Sequence, residues 1–199
     1  MIGDQRTPAN RPVIFAVTHV GKFDIEVAAE VLREQFFYIL TGDFEHIQGT
    51  SNSLFLSLNG AVYFNESDKN DRVKATEKMI RHLREGGNLM YFPEGAWNMT
   101  PHLPVIPLYW GIISIARAGN ALIVPIAAEQ YGKKWKFNIG SLFDVLGYED
   151  TTEGKTKAIT DLRDILATLK WEIWDTEAQK RSEVTDTEWN EYCDARFRE

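Results

Sequence analysis

The strongest constraint on the fold of this chain is a recurring pair of patterns: a short, wholly apolar run, then a stretch whose apolar residues return every three or four positions. Val13 to Val17 is continuous and rich in β-branched residues, as in a strand buried on both faces. Ile25, Ala28, Ala29 and Leu32 follow at helical spacing. Strands are likewise expected at residues 36–40, 61–64, 89–92 and 122–127, with an alternating one at 135–139. A short helix is expected at 53–58. A longer one runs through Val73, Thr76, Ile80 and Leu83, with Asp71 placed to cap its start and Gly86-Gly87 to end it. Residues 147–157 are polar, contain Gly154 and read as a surface loop. They lead into a helix marked by Ala158, Ile159, Leu162, Leu166, Leu169 and Ile173. Trp189, Tyr192, Cys193, Arg196 and Phe197 mark a last helix. Strands alternating with helices imply an α/β fold, a mostly parallel central sheet flanked by helices. The 199 residues fit one domain over 1–199, with 177–199 as a C-terminal helical extension.

Charge and composition narrow the function. Lys plus Arg number 22 against 29 Asp plus Glu, a formal charge of −7, which argues against a general affinity for nucleic-acid phosphates. The single cysteine, Cys193, has no internal disulfide partner, and the first residues lack the pattern of a secretory leader. A reducing cytoplasm is the expected setting. Crossing a bilayer takes about 20 consecutive apolar residues. The greasiest segment, residues 103–118, is interrupted by Pro104, Pro107 and Gly111. Peripheral membrane contact is the expectation, with Leu103, Val105, Ile106, Leu108, Tyr109 and Trp110 as an interfacial loop, a lining for an acyl chain or ordinary core.

In open α/β sheets, ligands bind beyond the carboxyl ends of the strands, and two polar clusters fall at such ends. His19-Val20-Gly21-Lys22-Phe23-Asp24 joins the first strand to the first helix. Phe92-Pro93-Glu94-Gly95 ends a later strand on an acid. An alcohol attacks a carbonyl poorly at neutral pH unless a base takes its proton, and histidine is suited to that work. A neighbouring carboxylate holds the ring in the productive tautomer and supports the imidazolium. His19 and Asp24 fit these parts, with Gly21 allowing the turn between them. Asp24 can equally cap the following helix, and Glu94 can cap a turn. His46, His82 and His102 have no comparable partner.

Together the two clusters resemble the glycerolipid acyltransferases, which include bacterial 1-acylglycerol-3-phosphate acyltransferases. That family pairs a histidine, four residues and an aspartate with a later Phe-Pro-Glu-Gly. Residues 60–64, Gly-Ala-Val-Tyr-Phe, resemble its glycine-plus-aromatic strand, and residues 124–126 its Val-Pro element. The resemblance implies transfer of a fatty acyl group from a thioester, acyl-CoA or acyl-carrier protein, to a hydroxyl of a lysophospholipid-like or other lipid acceptor. His19 and Asp24 take the catalytic roles, and Gly21, Lys22, Gly60, Glu66, Phe92, Pro93, Glu94, Gly95 and Trp97 the substrate-binding region. No metal or cofactor is implied, and the expected location is peripheral, at the inner face of the cell membrane. The chain departs from the pattern where the family has two phosphate-binding arginines: here Asn65-Glu66-Ser67 and Ala96-Trp97-Asn98 stand. An acceptor without a terminal phosphate is therefore expected, unless Lys22, Lys69 and Arg72 supply the missing charge. The competing readings are a non-catalytic lipid-binding relative, a metal-dependent hydrolase using His19, Asp24 and Glu94, and a serine hydrolase. The second lacks zinc-site spacing and the third a Gly-x-Ser-x-Gly elbow.

Overall fold

The computed structural model describes residues 10–21, 23–32, 37–41, 60–65, 67–100 and 103–177, together with 187 and 191. Its strands are β1 (Val13–Val17), β2 (Phe37–Thr41), β3 (Ala61–Tyr63), β4 (Asn88–Tyr91), β5 (Leu122–Tyr131) and β6 (Lys134–Ile139). Its helices are α1 (Asp24–Val31), α2 (Lys69–Arg84), α3 (Gly111–Gly119) and α4 (Thr152–Thr176). Among the described residues these strands form one sheet in the order β3-β2-β4-β1-β5-β6. Every neighbouring pair is parallel except β5 and β6, which are antiparallel.

Both faces are covered, which explains why β1 is apolar throughout. Ile14 and Ala16 face a core built with Met79 and Leu83 of α2, Ile112 and Ile115 of α3, and Leu162 and Leu166 of α4. Val13, Phe15 and Val17 pack with Ala28 and Ala29 of α1 and with Val124 and Ile126 of β5 on the other face. The expected α/β sheet flanked by helices is thus present, with an antiparallel edge strand.

Three local expectations need correction. Asp68, not Asp71, caps α2: its carboxylate accepts the Asn70 and Asp71 backbone N–H groups. Sequence reasoning placed the cap late because Lys69 to Arg72 carry no apolar residue, and a polar first turn leaves no periodic signal. Residues 147–157 are not one loop: α4 already begins at Thr152, and the Thr151 hydroxyl accepts the Gly154 N–H at 3.1 Å. Gly154 suits this first turn because a Cβ there would lie 2.2 Å from the Glu149 carbonyl oxygen. Finally, 103–118 hides a helix. Ile112, Ile113, Ile115 and Ala116 of α3 are core, and Asn120 ends the helix in a left-handed conformation, φ 52°. The expected helix at 53–58 lies outside the described residues, as does most of the 177–199 extension.

Candidate active site

β1 and β4 are immediate neighbours, with Ala16 opposite Tyr91. Both strands end at this level, so His19 and the Phe92 turn emerge side by side. The His19 Nδ1–H donates to Asp24 Oδ2 at 2.6 Å. The same oxygen accepts the Val20 N–H at 2.8 Å and the Gly21 N–H at 3.1 Å. Three donors on one carboxylate oxygen fix the Asp24 side chain, which in turn fixes the imidazole tautomer and leaves Nε2 as the bare nitrogen. Asp24 is also the first residue of α1, but no side-chain cap bond is made at that terminus. Its contacts go to the turn and the imidazole. Gly21 does not need the conformational freedom expected of it, since its backbone avoids the left-handed region that Gly60, Gly86, Gly95 and Gly132 occupy. Its N–H, directed at Asp24, is what the turn uses.

The second cluster stitches itself to the first. Glu94 is fully buried, and its two oxygens accept the His19 N–H and the Ile106 N–H, each at 2.9 Å. The Asn98 N–H donates to the His19 carbonyl at 2.8 Å, so both backbone groups of His19 are held by the turn after β4. The Asn98 amide in turn donates to the carbonyls of Leu103 and Pro104, and the Tyr109 N–H to that of Pro93. Burial pushes the Glu94 carboxyl up from its ordinary range. The two backbone N–H bonds and the Lys170 charge pull the other way. Gly95 is required by its position: φ is 62°, and a Cβ would meet the Tyr109 ring at 2.4 Å.

The imidazole sits between aromatic rings. Its centroid lies 4.5 Å from that of Phe92 and 6.2 Å from that of Trp97, the latter edge-on. Trp97 is 44% exposed and the His19 side chain 18%, so the imidazole stands at a partly open, aromatic mouth.

The structure therefore brings together His19, Gly21, Asp24, Phe92, Pro93, Glu94, Gly95 and Trp97. It does not bring Gly60, which precedes β3. Ala61 is level with Ile39, Ile39 with Met90 and Met90 with Phe15, so Gly60 lies below the mouth and toward the sheet edge. The resemblance located the strand correctly but not its height in the sheet. Lys22 and Glu66 lie outside the described residues, as do His46, His102 and Cys193. Lys69 and Arg72 are exposed on the first turn of α2. The His82 ring bonds the Asn88 carbonyl, away from the mouth. Among the described residues no three His, Cys, Asp or Glu side chains converge to hold a metal ion. Asn98 and Thr18 were missed as contributors because their parts are backbone-directed, and such a part leaves no chemical signature in sequence.

A histidine–aspartate dyad at the carboxyl end of a doubly covered α/β sheet, with its backbone clamped by a Pro-Glu-Gly turn, defines an acyl-transfer class of site. A family model described as Acyltransferase matches residues 1–129. The chain belongs to the Acyltransferase family and is an acyltransferase. Among solved structures it is similar to PlsC, the 1-acyl-sn-glycerophosphate (LPA) acyltransferase from Thermotoga maritima, at 16% identity and a TM-score of 0.61. That match covers 86% of this chain and 69% of the other and shows a shared fold. No curated protein matches the sequence significantly.

Proposed function

We propose that the chain moves a fatty acyl group from an acyl thioester, acyl-CoA or acyl-carrier protein, to a hydroxyl of a lipid acceptor. His19 Nε2 takes the hydroxyl proton as that oxygen attacks the thioester carbonyl, and Asp24 supports the resulting imidazolium. Collapse of the tetrahedral intermediate expels the thiolate, which recovers the proton from Nε2. The observation that carries this reading is the Nδ1–H bond to a carboxylate already holding two backbone N–H groups, because it commits the other ring nitrogen to accepting a proton. The acyl chain passes directly between substrates, since no nucleophilic side chain stands beside His19 among the described contacts.

The acceptor is a lysophospholipid-like or other hydroxyl lipid. A head group that is neutral, glycosylated or amine-bearing is favoured over a terminal phosphate, because Trp97 presents a flat apolar face where the family pattern has an arginine. Exposed Leu103, Tyr109 and Trp110 beside the mouth suit peripheral contact with a bilayer, here assigned to the inner face of the cell membrane. Among the described residues, no helix is long and apolar enough to cross a membrane.

The test is release of free thiol from an acyl thioester with a panel of acceptors, wild type against His19→Ala. General-base loss costs about 10²–10⁴-fold, so a folded His19→Ala protein with near-normal turnover would remove the assignment. Initial-rate plots are expected to intersect; parallel lines would indicate an acyl-enzyme instead. A strong preference for lysophosphatidic acid over neutral hydroxyl lipids would overturn the acceptor reading.

A further inference from the structure

α4 carries its apolar stripe as Leu162, Leu166, Leu169 and Ile173, and in the middle of that stripe stands Lys170, only 1% exposed. An apolar residue would complete the core at no desolvation cost, whereas an ammonium here gives up its hydration and must be compensated by its partners. Its surroundings show where the charge is directed. Lys170 Nζ bonds the Ala128 carbonyl, and it lies 3.4 Å from Glu129 Oε2, itself 1% exposed. Glu129 is held by the Trp174 indole N–H at 2.7 Å and the Gln130 N–H at 3.1 Å.

Ala128 is the residue of β5 at which β1 departs. β1 pairs with β5 only as far as Val17 opposite Ile126, and Thr18 makes a last backbone bond to the Ile126 carbonyl. Beyond that point the chain turns away to form the His19 loop, and Ala128, still paired with Phe137 of β6, has lost the backbone on its β1 side. The Thr18 hydroxyl replaces it, accepting the Ala128 N–H at 2.9 Å and donating to the Ala128 carbonyl at 3.3 Å. Lys170 is the second donor on that carbonyl. Its charge also acts on Glu94, the carboxylate that accepts the His19 N–H.

We propose that Lys170 is a positioning residue for acyl transfer. Its buried ammonium fixes the Ala128 backbone at the point where β1 leaves the sheet, and through Thr18 it holds His19 in its reacting place. The inference rests on the reading of His19 as the base. Lys170 does not touch substrate; it acts through the Ala128 backbone and the Thr18 hydroxyl that precedes the dyad.

The experiment compares Lys170→Met/Glu129→Gln, which removes both charges and leaves neither buried alone, with Lys170→Arg, which keeps the charge. A displacement of about 1 Å in a reacting group can cost about 100-fold. The double variant is expected to melt cooperatively, lose about 10- to 100-fold in kcat and keep both KM values within about 3-fold. Lys170→Arg is expected to retain most of kcat. A cooperatively folded double variant with wild-type kcat overturns the proposal, and so does a loss shared equally by KM, which is what general loosening of the fold would give. If the double variant does not fold, Lys170→Gln decides, since it keeps a donor for the Ala128 carbonyl without the charge: lower kcat at constant KM supports the proposal, and unchanged kcat refutes it. His19→Ala measured alongside separates the two levels. Full activity there defeats the base assignment, whereas its loss beside a fully active Lys170 variant defeats only the positioning role.

Discussion

Asp24→Asn isolates the charge of the dyad from its geometry. In many such pairs an asparagine can flip and reverse the imidazole tautomer, but here the carboxylate oxygen facing His19 also receives the Val20 and Gly21 N–H groups. An amide turned the other way would point an NH2 at three donors, so the asparagine oxygen is expected to stay where Oδ2 is and to preserve the tautomer. The displaced NH2 then occupies the place of Oδ1, which is buried and has no hydrogen-bond partner. The catalytic loss comes from the missing charge under the developing imidazolium. Two unit charges about 4 Å apart interact by about 4 kcal/mol at an effective dielectric of about 20. At about 1.4 kcal/mol per decade this amounts to a fall of up to about 10³-fold in kcat. Partial exposure of the His19 side chain, 18%, brings the expected value to about 10²-fold. Thiol release measured with saturating acceptor, alongside thermal melts, is the assay. A kcat within about 3-fold of wild type would refute the argued role of the charge. A loss as complete as that of His19→Ala would show instead that the tautomer had reversed.

Three further outcomes follow from individual contacts. The Glu94 carboxyl is raised mainly by burial, so the folded state holds its proton more tightly than the unfolded state. Its stability contribution is therefore fully present below the ordinary carboxylate pKa and is lost as pH rises through the raised value. Glu94→Gln removes this dependence, and denaturation from acid to neutral pH is expected to show the variant weakest relative to wild type at acid pH and gaining as pH rises. A pH-independent difference would contradict the burial argument. Gly95→Ala forces a side chain into φ 62° and into the Tyr109 ring, so calorimetry is expected to show a loss of about 1–3 kcal/mol with reduced activity; an unchanged melt would show that the turn yields freely. Gly154→Ala would ordinarily favour a helix by about 1 kcal/mol. Here it meets the Glu149 carbonyl oxygen at 2.2 Å, and urea unfolding is expected to show destabilisation, with a stabilised variant as the contrary result.

Local pattern carried much of the fold. Val13–Val17 and residues 89–91 are apolar because both sheet faces are covered, and Ala158 to Ile173 repeat at helical spacing because one stripe of α4 is buried. The helix Gly111–Gly119 escaped because it is short and its polar face comes down to Ser114 and Arg117, while the prolines and aromatics before it resemble a membrane-seeking loop. Exposed Tyr109 and Trp110 and buried Val105 and Ile106 share that same run, and only packing separates them.

The residue types at His19, Asp24 and the Phe92 turn, taken together, pointed to acyl transfer, because a histidine with a partner carboxylate is well suited to take a proton from a hydroxyl and the two clusters share one family's pattern. The tertiary structure decided what holds them. Placing β4 next to β1 is a non-local pairing that leaves no short-range trace, and it turns Glu94 from a residue expected at the substrate into a buried acceptor for the His19 backbone. The same holds for Lys170, whose long stem passes in sequence for part of a helix surface. Its significance arises only where β1 leaves β5 and the Ala128 carbonyl takes its ammonium as a donor.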